Sequence, residues 1–203
     1  DDLDEAIYAY EYDAAISPNG NIPVHAFNLI SPTFFANSST GNKYSLWVNV
    51  YGVSERYLNV YGEKDLRAQM NQFFHRTYTH PVDGTTLDMK MLCNWYWYDE
   101  TAILETGKGT KDWNFYRYAE TLLSAAEAIA QSSGVNAEAA GYLAQVKARA
   151  NMEGKDVSTI ASELQRLGKQ AFIEECWKER LREFPLEMKI WDDCVRTGKF
   201  PQI

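Results

Sequence analysis

Aromatic side chains set among amides and hydroxyls are the part of this sequence best suited to binding chemistry. They occupy a turn-rich segment before residue 50, in which Ser31-Pro32 and the polar run 37–42 interrupt the apolar pattern. An aromatic ring can stack on the apolar face of a pyranose, while nearby amides reach the sugar hydroxyls. The candidate ligand-binding residues are Phe34, Phe35, Asn37, Asn42, Tyr44 and Trp47.

Two other interpretations of this segment stay open. The same mixture of rings and amides suits a groove that binds a peptide. In addition, Trp47 is followed by Val48 and Val50, a spacing that is also typical of a core strand.

Residue patterns typical of catalysis are largely missing from the sequence. The histidines His25, His75 and His80 lack the spacing of a zinc protease, and neither a nucleophile elbow nor a phosphate-binding loop occurs. Asp99 and Glu100 are adjacent, and adjacent carboxylates do not readily flank a glycosidic bond from opposite sides. We therefore expect a binding protein without metal or cofactor, with a glycan-degrading enzyme as the alternative class.

The composition limits the partners and the compartment. With 203 residues and 45% hydrophobic residues the chain can bury a core, and a net charge of −8 argues against a nucleic-acid partner. Cys93, Cys176 and Cys194 lack zinc-ligand spacing, and a disulfide between two of them stays open. Cys176 and Cys194 lie in helical patterns and are predicted to be buried apolar side chains. The sequence contains no apolar run long enough for a transmembrane helix.

The first 113 residues read as short elements separated by turns. We predict strands at Ile7–Tyr12 and Met89–Tyr98. We also predict a helix at Asp65–Arg76, whose apolar face is Leu66, Met70, Phe73 and Phe74. Within the second strand, the run 95–98 would turn one pair of rings inward and the other outward. The outward pair would form a second aromatic patch or a contact surface for a partner.

Residues 114–203 show the 3.6-residue period of amphipathic helices. The first helix is predicted to end at Ser133-Gly134, and Asn136 is predicted to cap the second. The apolar stripes of these two helices are Phe115, Tyr118, Ala119, Leu122, Leu123, Ala126, Ile129 and Ala130, followed by Ala139, Tyr142, Leu143 and Val146.

A third segment is predicted to start at 158–165, to continue over 169–184 beyond Gly168, and to stop at Pro185. Its predicted buried face is Phe172, Ile173, Cys176, Trp177, Leu181 and Phe184. The last helix, about 186–196, is predicted to pack Ile190, Trp191 and Val195 and to end at Gly198.

A series of charged residues, Glu179, Arg180, Glu183, Glu187 and Asp193, accompanies these last two segments. Residues three or four apart are neighbours on a helix, and a buried charge must be paired. We therefore expect Arg180 to bridge carboxylates and to orient the last helix against the previous one. The functional alternative is an acidic cluster that binds a ligand.

The order of motifs in this half resembles the carboxy-terminal region of the SusD/RagB family, surface lipoproteins with which Bacteroidetes capture nutrients. The resemblance rests on 117–120 (Arg-Tyr-Ala-Glu), 126–128 (Ala-Glu-Ala), and a later pattern that ends in 196–199 (Arg-Thr-Gly-Lys). The later pattern also includes Glu179, Arg180, Glu183, Phe184, Glu187 and Asp193. Met188, Ile190 and Cys194 stand where the family has glycine, arginine and leucine.

The resemblance implies a mainly α fold with tetratricopeptide-like helix pairs, long irregular loops and a few short strands. Residues 1–113 would be a loop-rich, aromatic part and residues 114–203 a helical part of the same domain, with the family's amino-terminal half and lipid-bearing cysteine outside this chain. The motif residues are expected to be structural: Arg117, Tyr118, Glu120, Glu179, Arg180, Glu183, Asp193 and Arg196.

By resemblance, the protein is lipid-anchored on the outer-membrane surface and performs no chemistry. It binds an oligosaccharide, or in some members a peptide. It delivers this ligand to its partner, a SusC-like TonB-dependent transporter.

Overall fold

The second half of the chain is helical because its apolar residues recur at the helical period. A computed structural model describes residues 4–13, 15–16, 53–81, 84–100, 109–185 and 187–199. The described helices are α1 (Tyr118–Ser133), α2 (Ala137–Arg149), α3 (Val157–Leu164), α4 (Lys169–Glu183) and α5 (Ile190–Thr197). The described strands are β1 (Ala6–Tyr10), β2 (Phe74–Thr79), β3 (Thr86–Asn94) and β4 (Trp113–Arg117). The predicted mainly α fold with short strands is confirmed.

The described residues fall into two compact units. The first unit draws on 9–58 and 68–113, and the second on 2–8, 59–67 and 114–203. In the second unit α1 packs against α2 and α4, and α2 packs against α3. The core between these helices is built from Ala119, Leu122, Leu123, Ala126, Ala130, Ala139, Ala140, Leu143, Ala144, Val146, Ile160, Leu164, Phe172, Ile173, Cys176 and Phe184.

The predicted helix boundaries in this unit are largely confirmed. The Asn136 side chain accepts a hydrogen bond from the Ala139 amide at 2.9 Å, which caps α2. Gly134 and Gly198 both have positive φ, of 84° and 67°, which glycine adopts at low cost, and Gly198 ends its helix in the left-handed conformation. The predicted continuous third segment is wrong, because residues 165–168 separate α3 from α4.

The start of the first predicted helix also differs from the structure. Phe115 belongs to β4, α1 begins at Tyr118, and both side chains are exposed. The Tyr118 amide donates to the carbonyl of Glu5, so strand pairing with β1 governs this stretch.

The last helix buries a different face from the one predicted. Trp191 and Val195 are 64% and 62% exposed, whereas Asp193 and Cys194 are buried. The reason is electrostatic: Asp193 pairs with a buried arginine of α4, and this pairing turns the opposite face of α5 towards solvent.

The first unit contains an antiparallel hairpin of β2 and β3, in which Phe74 lies opposite Asn94 and His75 opposite Cys93. The register shifts between His75 and Thr77, where the strand is irregular. The buried side chains here are Phe74, Tyr78, His80, Met89, Leu92, Cys93 and Trp97.

The predicted helix at Asp65–Arg76 is wrong. The structure has only a 3₁₀ turn at Leu66–Ala68, and Asn71 takes φ 64°, which breaks any helix there. The Leu66 amide donates to the carbonyl of Ala150, a partner that is distant in sequence. The residues from Phe74 onwards pair with β3 instead of closing a helical turn.

The predicted strand end at Tyr98 is wrong as well. β3 ends at Asn94, and the Tyr98 amide donates to the carbonyl of Trp95 at 3.0 Å, so that residues 95–98 form a turn. In the same region β1 ends at Tyr10, two residues earlier than predicted.

All three cysteines are buried, as predicted for Cys176 and Cys194, and all carry free thiols, so the open possibility of a disulfide is not realised. Within the described part of the chain, none of the helices combines the length and apolarity needed to cross a bilayer.

Met188 is predicted to be a strained position that glycine would relieve. Its φ is 59°, its side chain is 60% exposed, and the SusD/RagB pattern has glycine there. A left-handed conformation costs a side chain about 1–2 kcal/mol, partly offset by the extra unfolded-state entropy of glycine. Met188→Gly should therefore raise the free energy of unfolding by about 0.5–1 kcal/mol in urea denaturation.

Met152→Gly is the matched control, because Met152 is also exposed but has no positive φ. That substitution should lower stability slightly. Equal effects of the two substitutions would contradict the strain at Met188.

Candidate functional site

The six predicted ligand-binding residues, Phe34, Phe35, Asn37, Asn42, Tyr44 and Trp47, lie outside the described residues. The predicted structural motif residues all lie within them. Two arrangements of functional side chains are described: a buried ion network in the second unit and an aromatic cluster in the first.

The ion network centres on the carboxylate of Glu183, at the carboxyl end of α4. Its Oε2 accepts from Arg67 Nη1 at 2.9 Å. Its Oε1 accepts from Arg149 Nη2 at 2.6 Å and from Arg117 Nη1 and Nη2 at 3.2 Å each. One carboxylate thus receives hydrogen bonds from three arginines of three different segments.

Arg117 connects Glu183 to two further carboxylates, those of Glu5, before β1, and of Glu187, between α4 and α5. Its Nε and Nη2 donate to Glu187 at 2.8 and 2.6 Å, and its Nη1 donates to Glu5. Burial alone would lower the pKa of Arg117, but the hydrogen bond to Glu187 and the nearby carboxylates raise it above its ordinary value. Burial also raises the pKa of Glu187, although Arg117 opposes this shift.

Arg67 links the 3₁₀ turn to α4 in the same manner. It makes a two-point contact with Asp65, at 2.9 Å from Nε and 2.7 Å from Nη2, and pairs with Glu179 at 2.9 Å. Burial would lower the pKa of Arg67, but Asp65, Glu179 and Glu183 together raise it. The guanidinium is therefore a permanent positive charge at this position.

Arg180 and Arg196 tie α5 to the rest of the unit. Arg180 Nε donates to both carboxylate oxygens of Asp193, at 2.9 and 2.8 Å, and Arg180 Nη2 donates to Glu120 at 3.1 Å. Arg196 donates to Asp193 at 2.8 Å and to Glu127 at 2.9 Å. The predicted pairing of Arg180 with carboxylates is confirmed, and it connects α4 to α5 as expected.

A polar cavity of about 460 Å³ opens beside this network in the second unit. Its charged lining residues are Glu63, Asp65, Glu153, Glu163 and Glu179, with Lys64, Arg67, Lys147, Lys155 and Arg182. Lys147, Lys155 and Arg182 already pair with carboxylates at 2.5 to 3.5 Å. The opposite charges balance within the lining, so the cavity shows no preference for an anionic or a cationic ligand.

The aromatic cluster of the first unit is a stack of His75, Trp95 and Tyr98. The rings of His75 and Trp95 are 4.0 Å apart with an interplanar angle of 11°, and those of Trp95 and Tyr98 are 4.8 Å apart at 15°. The buried Tyr78 contacts both Trp95 and Tyr98, with ring centroids 5.6 and 6.2 Å away. The three stacked side chains are themselves half-buried, at the boundary between core and solvent. We call this group the aromatic stack.

Neighbouring residues hold the turn that carries the aromatic stack. Trp97 is 4% exposed and packs against Trp113, which anchors the turn in the unit. Asp99 accepts hydrogen bonds from the amide and hydroxyl of Thr110, at 2.7 and 3.1 Å. The Tyr98 hydroxyl donates to the exposed Glu100 at 3.1 Å.

Sequence reasoning identified part of this cluster. It marked the run 95–98 as an aromatic patch but placed it on a strand, and it assigned no role to His75. The contribution of His75 depends on the pairing of β2 with β3, which puts it opposite Cys93, two residues before the turn begins. Among the described residues, no group of three histidine, cysteine or acidic side chains is arranged to hold a metal ion.

The SusD family model matches residues 34–202, which is most of the chain. The chain belongs to the SusD family. This membership confirms the resemblance drawn from the motifs at 117–120 and 179–199. A search of curated proteins gives no match.

Solved structures of low sequence identity share the fold. A SusD superfamily protein from Parabacteroides distasonis is 23% identical with a TM-score of 0.74, over 95% of this chain and 39% of that chain. Surface glycan-binding protein A from Bacteroides uniformis is 21% identical with a TM-score of 0.63, over 97% and 38%. A SusD superfamily protein from Bacteroides fragilis is 19% identical with a TM-score of 0.60, over 94% and 40%. The chain thus spans about two fifths of the length of these proteins.

Loss of the Glu183 charge is predicted to destabilise the protein. Glu183→Gln weakens hydrogen bonds to charged arginines, but Arg67 keeps Asp65 and Glu179 and Arg117 keeps Glu5 and Glu187, so the free energy of unfolding should fall by about 1.5–3 kcal/mol in urea denaturation. The control is Glu153→Gln, which removes only the exposed pair with Lys155 and should change stability little. Equal stability of the two variants would show that the network is not needed.

His75 is predicted to make stability depend on pH. Burial lowers its pKa below the ordinary value of 6.5, so the unfolded chain binds this proton more readily than the folded one. As the pH falls through about 6.5 towards the folded-state pKa, the free energy of unfolding should fall. The variant His75→Phe keeps an aromatic ring at this position but has no group that binds a proton.

The measurement is urea denaturation of both proteins from about pH 8 to about pH 5. The stability of the natural protein should decline relative to the variant as the pH decreases. A difference that stays constant across this range would contradict the lowered pKa of His75.

Proposed function

We propose that this chain is part of a surface nutrient-binding protein that captures an oligosaccharide and passes it to a SusC-like TonB-dependent transporter. The observation that carries the proposal is membership of the SusD family over residues 34–202. A neighbour with the same fold is named as a surface glycan-binding protein, which supports a glycan as the ligand class. The protein holds its ligand without changing it.

We further propose that the protein works at the outer-membrane surface, tethered by a lipid. The family membership supports this proposal.

The proposed ligand contacts are the six residues of the aromatic, amide-rich segment: Phe34, Phe35, Asn37, Asn42, Tyr44 and Trp47. Rings would stack on the apolar faces of sugar units, and the two asparagines would bond hydroxyl groups. A peptide ligand is the second candidate, because the same rings and amides can hold an extended chain by its side chains and backbone.

Removing the rings at Tyr44 and Trp47 is expected to weaken glycan binding. The protein is titrated by calorimetry with soluble malto-, cello-, xylo- and manno-oligosaccharides, and with mixed peptides. The variant Tyr44→Ala with Trp47→Ala should lose at least about tenfold in affinity for the oligosaccharide that binds, since a buried aromatic contact is worth more than about 1 kcal/mol.

Trp191→Ala is the control, because it removes an exposed tryptophan of the second unit to which no ligand role is assigned. Circular dichroism checks that each variant is folded. Chromatography of the oligosaccharide after prolonged incubation tests for cleavage. Peptide binding without glycan binding would favour the second candidate, and cleavage products would contradict the non-enzymatic role.

A further inference from the structure

We infer that residues 187–197, which include α5, form an ionic latch: ion pairs hold this segment to the second unit, and it opens as one piece while α1 to α4 stay folded. This conformational device goes beyond the proposed function and does not depend on it. Its measurable consequence is that the buried thiol of Cys194, on α5, becomes accessible more often than that of Cys176, on α4.

The first argument is that charged side chains attach the latch to the rest of the unit. Within the described part of the chain, four of its acidic and basic side chains pair with partners on β4, α1 and α4. The pairs are Glu187 with Arg117, Lys189 with Glu120, Asp193 with Arg180, and Arg196 with Glu127, at 2.6 to 3.0 Å. The ion pairs therefore connect the latch to three other elements.

The second argument is that the latch contributes little to the apolar core. Among the described residues, the core cluster is built from α1 to α4 and Phe184, and it includes no residue of α5. Met188, Trp191 and Val195 are each at least 60% exposed. Burial of apolar side chains is the main favourable contribution to folding, so α5 lacks most of the stabilisation that holds the other helices.

The third argument concerns the free energy of opening. A substitution that removes one partner of a buried ion pair is costly, because the other charge stays desolvated and unpaired. Opening of the latch instead hydrates both partners of every pair at once, so hydration offsets much of the lost attraction. Opening also relieves the strain at Met188, whose φ is 59°. Opening of the latch should therefore require less free energy than global unfolding.

The test follows the reaction of each cysteine with a thiol reagent in the full chain, by mass spectrometry of its peptides. Cys194 reports on the latch, Cys176 on the helical core and Cys93 on the first unit. The same reaction in urea gives the rate of each thiol when it is fully accessible. Relative to these unfolded rates, Cys194 of the natural protein should react at least about tenfold faster than Cys176.

The variant Asp193→Asn weakens the contact with Arg180 and should make Cys194 react about tenfold faster, with the rate of Cys176 changed by less than about twofold. Met188→Gly removes the strain of the closed state and should slow the reaction of Cys194 by about two- to fivefold. Raising NaCl from about 0.1 M to about 1 M should make Cys194 react about twofold faster, because salt screens the half-exposed Arg196.

Glu163→Gln is the matched control. It also replaces a carboxylate by an amide, but it weakens an ion pair of 3.0 Å with Lys155 that involves α3 and not the latch. The rate of Cys194 should stay within about twofold of the natural protein. If thermal melts show that Asp193→Asn is unfolded, Arg196→Gln replaces it, and Cys194 should then react about threefold faster.

Equal relative rates of Cys194 and Cys176 in the natural protein would overturn the inference, because they would show that only global unfolding exposes the latch. A folded Asp193→Asn variant in which Cys194 reacts no faster than in Glu163→Gln would overturn it as well. Faster reaction of Cys194 alone would support it. None of these outcomes involves a glycan, so the proposed function is tested separately.

Discussion

The carboxylate of Glu183 connects three parts of the second unit that are far apart in sequence. It binds Arg67 in the 3₁₀ turn, Arg117 at the end of β4 and Arg149 at the end of α2. A buried guanidinium is costly without a partner, so the shared carboxylate helps to hold each of these segments in place. In this chain, the glutamates and arginines of the family pattern therefore form ion pairs that join these segments. The apolar faces of the helices form the core around the ion pairs.

This dependence explains where sequence reasoning succeeded and where it failed. The helices α1, α2 and α4 follow from apolar periodicity and from local caps such as Asn136, which neighbouring residues determine. The stretch at 65–76 depends on a contact with Ala150, which no local pattern contains. The charged series did indicate the pairing of Arg180 with carboxylates, but the apolar pattern of α5 favoured burial of Trp191 and Val195 over burial of Asp193. In α5 the buried face contains Asp193, which pairs with Arg180, and Trp191 is exposed.

The aromatic stack illustrates the same limit for candidate binding residues. The run 95–98 was visible as a concentration of rings, but alternation predicted a strand, whereas backbone hydrogen bonds make a turn. His75 joins the stack only through strand pairing. Residue type alone indicates the segment with Tyr44 and Trp47, and its part in binding is a proposal.

The burial of the three thiols has a practical consequence for labelling. Burial raises the pKa of Cys93 and of Cys176 to about 12 and also raises that of Cys194, so little reactive thiolate exists at neutral pH. A cysteine introduced at an exposed position would thus be modified selectively, with the natural cysteines left in place. A fluorophore or spin label attached in this way could report on either unit without prior removal of native side chains.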